Sequence, residues 1–212
     1  MLERENIRKA LIDAADAAIS RNGLGKLSID SLVNAAHISK GAFYLFYGSK
    51  EMLILDVVQH VQECARADLL TAINAEMPDQ DDDVARRLLE GLFSVFVNYP
   101  IFAELSKPDS LVQLIRGLPQ DVLDEEFESD EEFFRSLFEE LVQRKQVRDM
   151  DLGVLCGLPR MVLALELNKD MIGLDRYCEL KAMFISGMAV QLAVPASGAQ
   201  ESPRKRASRK QQ

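Results

Sequence analysis

The chain has 212 residues, 48% of them hydrophobic and 28% charged, with 11 Gly and 7 Pro. That length buries a sizeable core, and the composition excludes a disordered, collagenous or low-complexity protein. The net charge of −9 conceals a partition. The first 50 residues carry seven Lys/Arg against five Asp/Glu, residues 51–194 carry 13 against 28, and residues 195–212 carry five against one. The acidic middle repels phosphates, whereas the N-terminal segment tolerates them.

No apolar run reaches the roughly 18 residues that a membrane span needs, and Met1-Leu2-Glu3-Arg4-Glu5 lacks a basic-then-apolar leader pattern. Cys64, Cys156 and Cys178 are odd in number and far apart, so they form no disulfide framework, and the expected compartment is the cytoplasm. Two His and three scattered Cys give no metal-ligand spacing. There is no G-x-S-x-G elbow, P-loop or G-x-G-x-x-G run, so neither an enzyme nor a cofactor is expected.

Taken in order, the chain reads as all-α, since no stretch alternates with a strand's period of two. A first helix spans about Arg4 to Asn22, with Ile7, Leu11, Ala15 and Ile19 on one face and Gly23 as its stop. Ser28 caps a short second helix, Ser39 a third that ends at Gly48, and Ser49 a fourth running from Lys50 to about Glu76. Pro78 and the acidic run Asp79–Asp83 break the chain. Further helices are expected near 82–98, 101–106, 109–117, 121–147, 152–168 and 174–193. The organisation that follows is a helix-turn-helix domain over 1–50, a larger helical domain over 51–194, and a disordered basic tail over 195–212.

The segment from Ser28 to Lys50 carries the chemistry. Two short helices joined by a tight turn and packed on a preceding helix present the second helix to a major groove. At 100° per residue, Phe43, Phe46 and Tyr47 fall on the core side of the third helix. Lys40, Gly41, Tyr44 and Leu45 share the opposite arc of about 140°. Lys40 suits guanine acceptors, Gly41 allows close backbone approach, and Tyr44 suits a phosphate oxygen. Lys50 joins a charge to free helix amides, which also suits a phosphate. Ser28, Ser39 and Ala42 complete the candidate DNA-binding set. His37 is expected as an exposed turn residue.

The run Ile38-Ser39-Lys40-Gly41-Ala42-Phe43-Tyr44-Leu45-Phe46-Tyr47-Gly48-Ser49-Lys50-Glu51 resembles the recognition region of the tetracycline-repressor (TetR) family, which commonly shows S-K-G-T-L-Y-x-Y-F-x-S-K-E after an apolar residue. The likeness extends back through Ala35, Ala36 and Ser28 to Asn22-Gly23 and covers about the first quarter of the chain. Leu45 stands where that family often has His or another polar residue, and is positioned for a thymine methyl instead. The resemblance implies a homodimeric transcription factor, a repressor rather than an activator. It would bind a dyad-symmetric, double-stranded operator and answer to a small-molecule effector in a C-terminal helical ligand-binding and dimerisation domain.

For the effector pocket the candidates are Phe93, Phe96, Phe102, Phe134, Phe138 and Glu166, drawn from the aromatic concentration between 93 and 138 and the apolar run 152–167. For the dimer interface they are Leu155, Val162, Tyr177, Leu180, Phe184 and Met188, on two helices that would form a four-helix bundle with their symmetry mates. By spacing alone such aromatics are core more often than pocket, whereas for the two last helices an interface is favoured over intramolecular core. The alternative of another class is a helical protein-interaction module that keeps this fold without sequence-specific DNA binding.

Overall fold

The computed structural model describes residues 2–75, 84–105 and 107–194. The acidic run Asp79–Asp83 and the tail 195–212 lie outside them. Among the described residues the secondary structure is helical: α1 Leu2–Asn22, α2 Ile29–Ala35, α3 Lys40–Tyr44, α4 Lys50–Asn74, α5 Val84–Asn98, α6 Pro100–Leu105, α7 Pro108–Arg116, α8 Gln120–Gln143, α9 Leu152–Leu155, α10 Gly157–Leu167, α11 Lys169–Ile172 and α12 Leu174–Leu192. No described helix is long and apolar enough to cross a membrane.

Serine caps set the starts in the N-terminal part. The Oγ atoms of Ser28, Ser39 and Ser49 accept from the amides of Ser31, Ala42 and Met52 at 3.2, 3.1 and 3.2 Å. Each satisfies one of the amides that a helix start leaves without an intrahelical partner. Gly23 ends α1 at φ 76°, a left-handed conformation that a side chain resists. An added Cβ there would also meet Glu104 Oε1 at 2.8 Å. The turn after α2 closes with His37 at φ 55° and the Ile38 amide donating to the Val33 carbonyl at 2.9 Å, a Schellman arrangement. The third helix was expected to reach Gly48 but ends at Tyr44. Leu45, Phe46 and Tyr47 continue as a tight turn whose amides donate to the Ala42 and Phe43 carbonyls.

The core forms two clusters. The first gathers Leu11, Ala15, Ile19, Leu32, Phe43 and Tyr47 around Leu53–Val61 of α4, and extends to Ile101, Leu114, Leu118 and Leu123. Elements after residue 51 therefore complete the apolar seat of the N-terminal helices. Phe43 is fully buried, which contributes roughly 2–3 kcal/mol. The second cluster joins the far end of α4 (Leu69, Ile73) to α5, α8, α10 and α12. Helix α5 is its spine, packed by α4 on one side and by α10 and α12 on others. Gly91 brings α4 and α5 together so tightly that a Cβ there would stand 2.6 Å from Leu69 Cδ1.

The expected helix over 152–168 is two pieces with a turn at Cys156, followed by the short α11. Pro159 is the third residue of α10, where its missing amide leaves no intrahelical bond unmade.

Candidate nucleic-acid interface

In the recognition segment the side chains divide as the 100° geometry requires. Phe43 and Tyr47 are buried and Phe46 is half-buried against the first core cluster. Lys40 and Gly41 are exposed, as are Tyr44 at 51% and Leu45 at 77%. Leu45 is thus an exposed apolar side chain beside a cation and a phenol. A Cβ added at Gly41 would meet nothing nearer than Ser39 Oγ at 3.9 Å, so the fold does not require glycine there.

The segment is fastened from behind. Asp56 of α4 is buried, and its carboxylate accepts from Arg8 Nε at 2.7 Å, from Arg8 Nη2 and from the Tyr47 hydroxyl. Burial and the Asp56 bond push the Tyr47 phenol well above its ordinary pKa, so it remains a donor. Arg8 contributes α1, Tyr47 the end of the recognition segment and Asp56 the long helix, so one carboxylate joins all three. Arg4 lies over the Phe46 ring at 5.5 Å from its centre.

The remaining expected DNA contacts have local duties. The hydroxyls of Ser28 and Ser39 serve as caps. Lys50 is half-buried, and its Nζ donates to the Leu27 carbonyl at 3.2 Å, tying α4 to the loop before α2. Ala42 is half-buried on the flank of α3. Lys40 Nζ donates to Asp30 Oδ1 at 3.0 Å, and this bond raises the pKa of the ammonium. Sequence reading named Lys40 but not its partner, because the two are ten residues apart on different helices.

The candidate effector residues do not form one group. Phe93 and Phe138 are fully buried, with the Phe184 ring set edge-on to Phe93 at 5.9 Å. Phe96 and Phe134 are half-buried on the second cluster, while Phe102 packs on the first and meets Phe96 at 6.4 Å. Glu166 is buried and already partnered: it accepts from the Tyr177 hydroxyl at 2.6 Å and faces Lys169 and Lys181 at 3.3 and 3.6 Å. These bonds hold α10 to α11 and α12.

Of the six interface candidates, Leu155, Val162 and Tyr177 lie in the chain's own core, and Phe184 and Met188 pack against it. Leu180, at 51%, is the exposed one. The reason is that this face of α12 is already taken: Phe184 meets Phe93 of α5, Met188 packs on the second cluster, and Tyr177 is bonded to Glu166 of α10. The outward face, about 100° round the helix, carries Leu180, Met183, Gly187 and Val190. Met183 and Val190 are 70% and 72% exposed. The neighbouring α9 and α10 expose Val154, Met161 and Leu167.

Comparison with known proteins agrees with this geometry. Residues 11–57 match the family of bacterial regulatory proteins, tetR family. The HTH-type transcriptional regulator EthR of Mycolicibacterium smegmatis is 27% identical over 94 residues; the match spans 44% of this chain and 43% of that protein, under half of either. A TetR-family transcriptional regulator of Pectobacterium atrosepticum superposes with a TM-score of 0.66 at 19% identity, over 92% of this chain and 99% of that one. NemR of E. coli in its reduced form gives 0.64 at 15% identity, over 90% and 98%. At such identities the structures speak for the fold, and the N-terminal match speaks for the head. Together they show that the N-terminal segment resembles the tetR family of bacterial regulatory proteins and that the chain as a whole shares the fold of those solved structures.

Proposed function

We propose that the chain is a homodimeric, ligand-responsive transcriptional repressor of the cytoplasm that binds a palindromic operator. The carrying observation is the division of the recognition segment, with Phe43 and Tyr47 locked into the core and Lys40, Gly41, Tyr44 and Leu45 displayed together. Each subunit sets that segment in the major groove of one half-site. Lys40, Gly41, Ala42 and Leu45 face base edges, while Tyr44, Lys50 and the Ser28 and Ser39 region face the backbone.

Two-fold pairing is supported by the exposed stripe of α12 together with Met161 and Leu167 of α10, which offer a second copy an apolar four-helix seam. A small-molecule effector between the helices of residues 84–194 acts through different affinities for two arrangements of the dimer. The half-buried Phe96 and Phe134 are the candidates to meet it. Helix α4, rooted in both core clusters, transmits the change to the spacing of the heads.

The test is selection of binding sites from random duplex DNA with purified, ligand-free protein. A dyad-symmetric site with half-sites about one helical turn apart supports the reading. No enriched site, with bulk-DNA binding indifferent to salt, overturns it in favour of a helical protein-interaction module.

A further inference from the structure

Between Asp16 and Glu51 the chain has a single acidic residue, Asp30, and its carboxylate is bonded to Lys40, the only cation of α3. Asp30 stands in the first turn of α2, where a carboxylate suits the helix dipole, yet it reaches across to α3. The two side chains are 73% and 53% exposed. An ion pair so open to water contributes little to stability, so stability does not explain the placement. Beside DNA the same carboxylate has a definite effect: it repels phosphates from the cation that would otherwise attract them.

We propose that Asp30 is a specificity-determining residue of the DNA-reading face, holding Lys40 toward a G·C base pair and away from the backbone. This rests on the operator-binding reading above. A lysine is a flexible point charge on a four-carbon stem, and an unrestrained one settles on whichever phosphate is nearest. Phosphate contacts supply nearly all sequence-independent affinity. Held by Asp30, Lys40 loses that option. In the major groove a G·C pair answers both charges at once, with guanine O6 and N7 accepting from Lys40 and cytosine N4 donating to Asp30. Along the backbone only the cation is answered and the carboxylate is opposed. Asp30 therefore lowers affinity for arbitrary DNA more than affinity for the operator.

The experiment measures binding of the full chain and of Asp30→Asn, Asp30→Glu, Lys40→Ala and the Asp30→Asn/Lys40→Ala pair. The probes are the selected site and random duplex, across a range of salt, with thermal melts to confirm folding. Asp30→Asn should bind random duplex about threefold to tenfold more tightly, with a salt slope steeper by about one phosphate contact. Its ratio of operator to random affinity should fall about tenfold, and one position of the selected site should lose its G·C preference. Asp30→Glu should keep the ratio, and the Asn change should do nothing to the ratio in the Lys40→Ala background. An unchanged ratio in Asp30→Asn, or an equal drop when Lys40→Ala is already present, overturns the proposal while leaving operator binding intact. A wild-type chain that selects no site removes the operator reading and this one with it.

Discussion

Two exposed surfaces of this molecule are built on the same device and differ in what surrounds it. On α3, Gly41 lies among Lys40, Tyr44 and Leu45; on α12, Gly187 lies among Leu180, Met183 and Val190. A Cβ would find nothing within 4 Å at Gly187 and only Ser39 Oγ at Gly41. Gly91 is different, since its missing Cβ is filled by Leu69 of the same chain. Open space at Gly41 and Gly187 leaves room for a second molecule to approach the backbone there. The neighbours indicate which partner: a cation and a phenol are content in water until a polyanion arrives. A stripe of Leu, Met and Val loses free energy for as long as it stays uncovered. On the proposed function, the α3 face would make a transient contact and the α12 face a standing one.

The sharpest way to break the comparison is Gly187→Arg. Arginine favours helix more than glycine does, and the site is open, so the substitution should leave each subunit folded, with its helical content unchanged. If the α12 stripe is a standing seam, the guanidinium holds the two copies apart. Sedimentation should then show monomer, and operator affinity should fall about a hundredfold or more through loss of the linked second half-site. A dimer that survives this change with full affinity removes α12 from the interface.

That asymmetry also explains how unevenly the molecule could be read from its sequence. The N-terminal helices are specified by local signals: Ser28, Ser39 and Ser49 as caps, Gly23 as a stop, and apolar spacing that turned Phe43 and Tyr47 inward. Even the early end of α3 at Tyr44 left the division of side chains intact, because Leu45–Tyr47 keep turning through bonds to Ala42 and Phe43. Residues 152–168 are apolar nearly all round, so periodicity could not say which side α5 would take. Leu155 and Val162 went inward, while Met161 and Leu167 stayed out. The bonds that tie elements together, Asp30 to Lys40, Asp56 to Arg8 and Glu104 to Leu24, span 10, 48 and 80 residues. No local pattern announces a pairing at such separations.

Gly41→Ala tests the other side of the comparison and should have a smaller effect. The methyl group meets no neighbour closer than 3.9 Å, and alanine favours helix over glycine by up to about 1 kcal/mol, so the melting temperature should hold or rise. Operator affinity should fall about tenfold, because the methyl occupies space that the backbone's approach to DNA requires. A variant that is more stable and binds as tightly as wild type would mean that α3 does not approach the groove at this residue.

The smallest expected effect lies where the two regions meet. Glu104 of α6 reaches the N-terminal helices: its Oε1 accepts from the Leu24 amide at 3.1 Å and from the Ser110 hydroxyl at 3.3 Å, and its Oε2 pairs with Lys107. The bond from Lys107, aided by that from Leu24, holds this carboxyl below its ordinary pKa of 4.5. A carboxyl whose folded-state pKa is depressed adds stability that is present above the ordinary value and lost as pH falls through the lowered one. Glu104→Gln should therefore cost about 1 kcal/mol at neutral pH, and the gap between its melting temperature and that of wild type should narrow as pH drops below 4.5. If the gap is the same at every pH, the contact holds through shape and neutral hydrogen bonding alone. A narrowing gap means that the charge of Glu104 fastens α6 to the segment after α1, and that this junction loosens in acid.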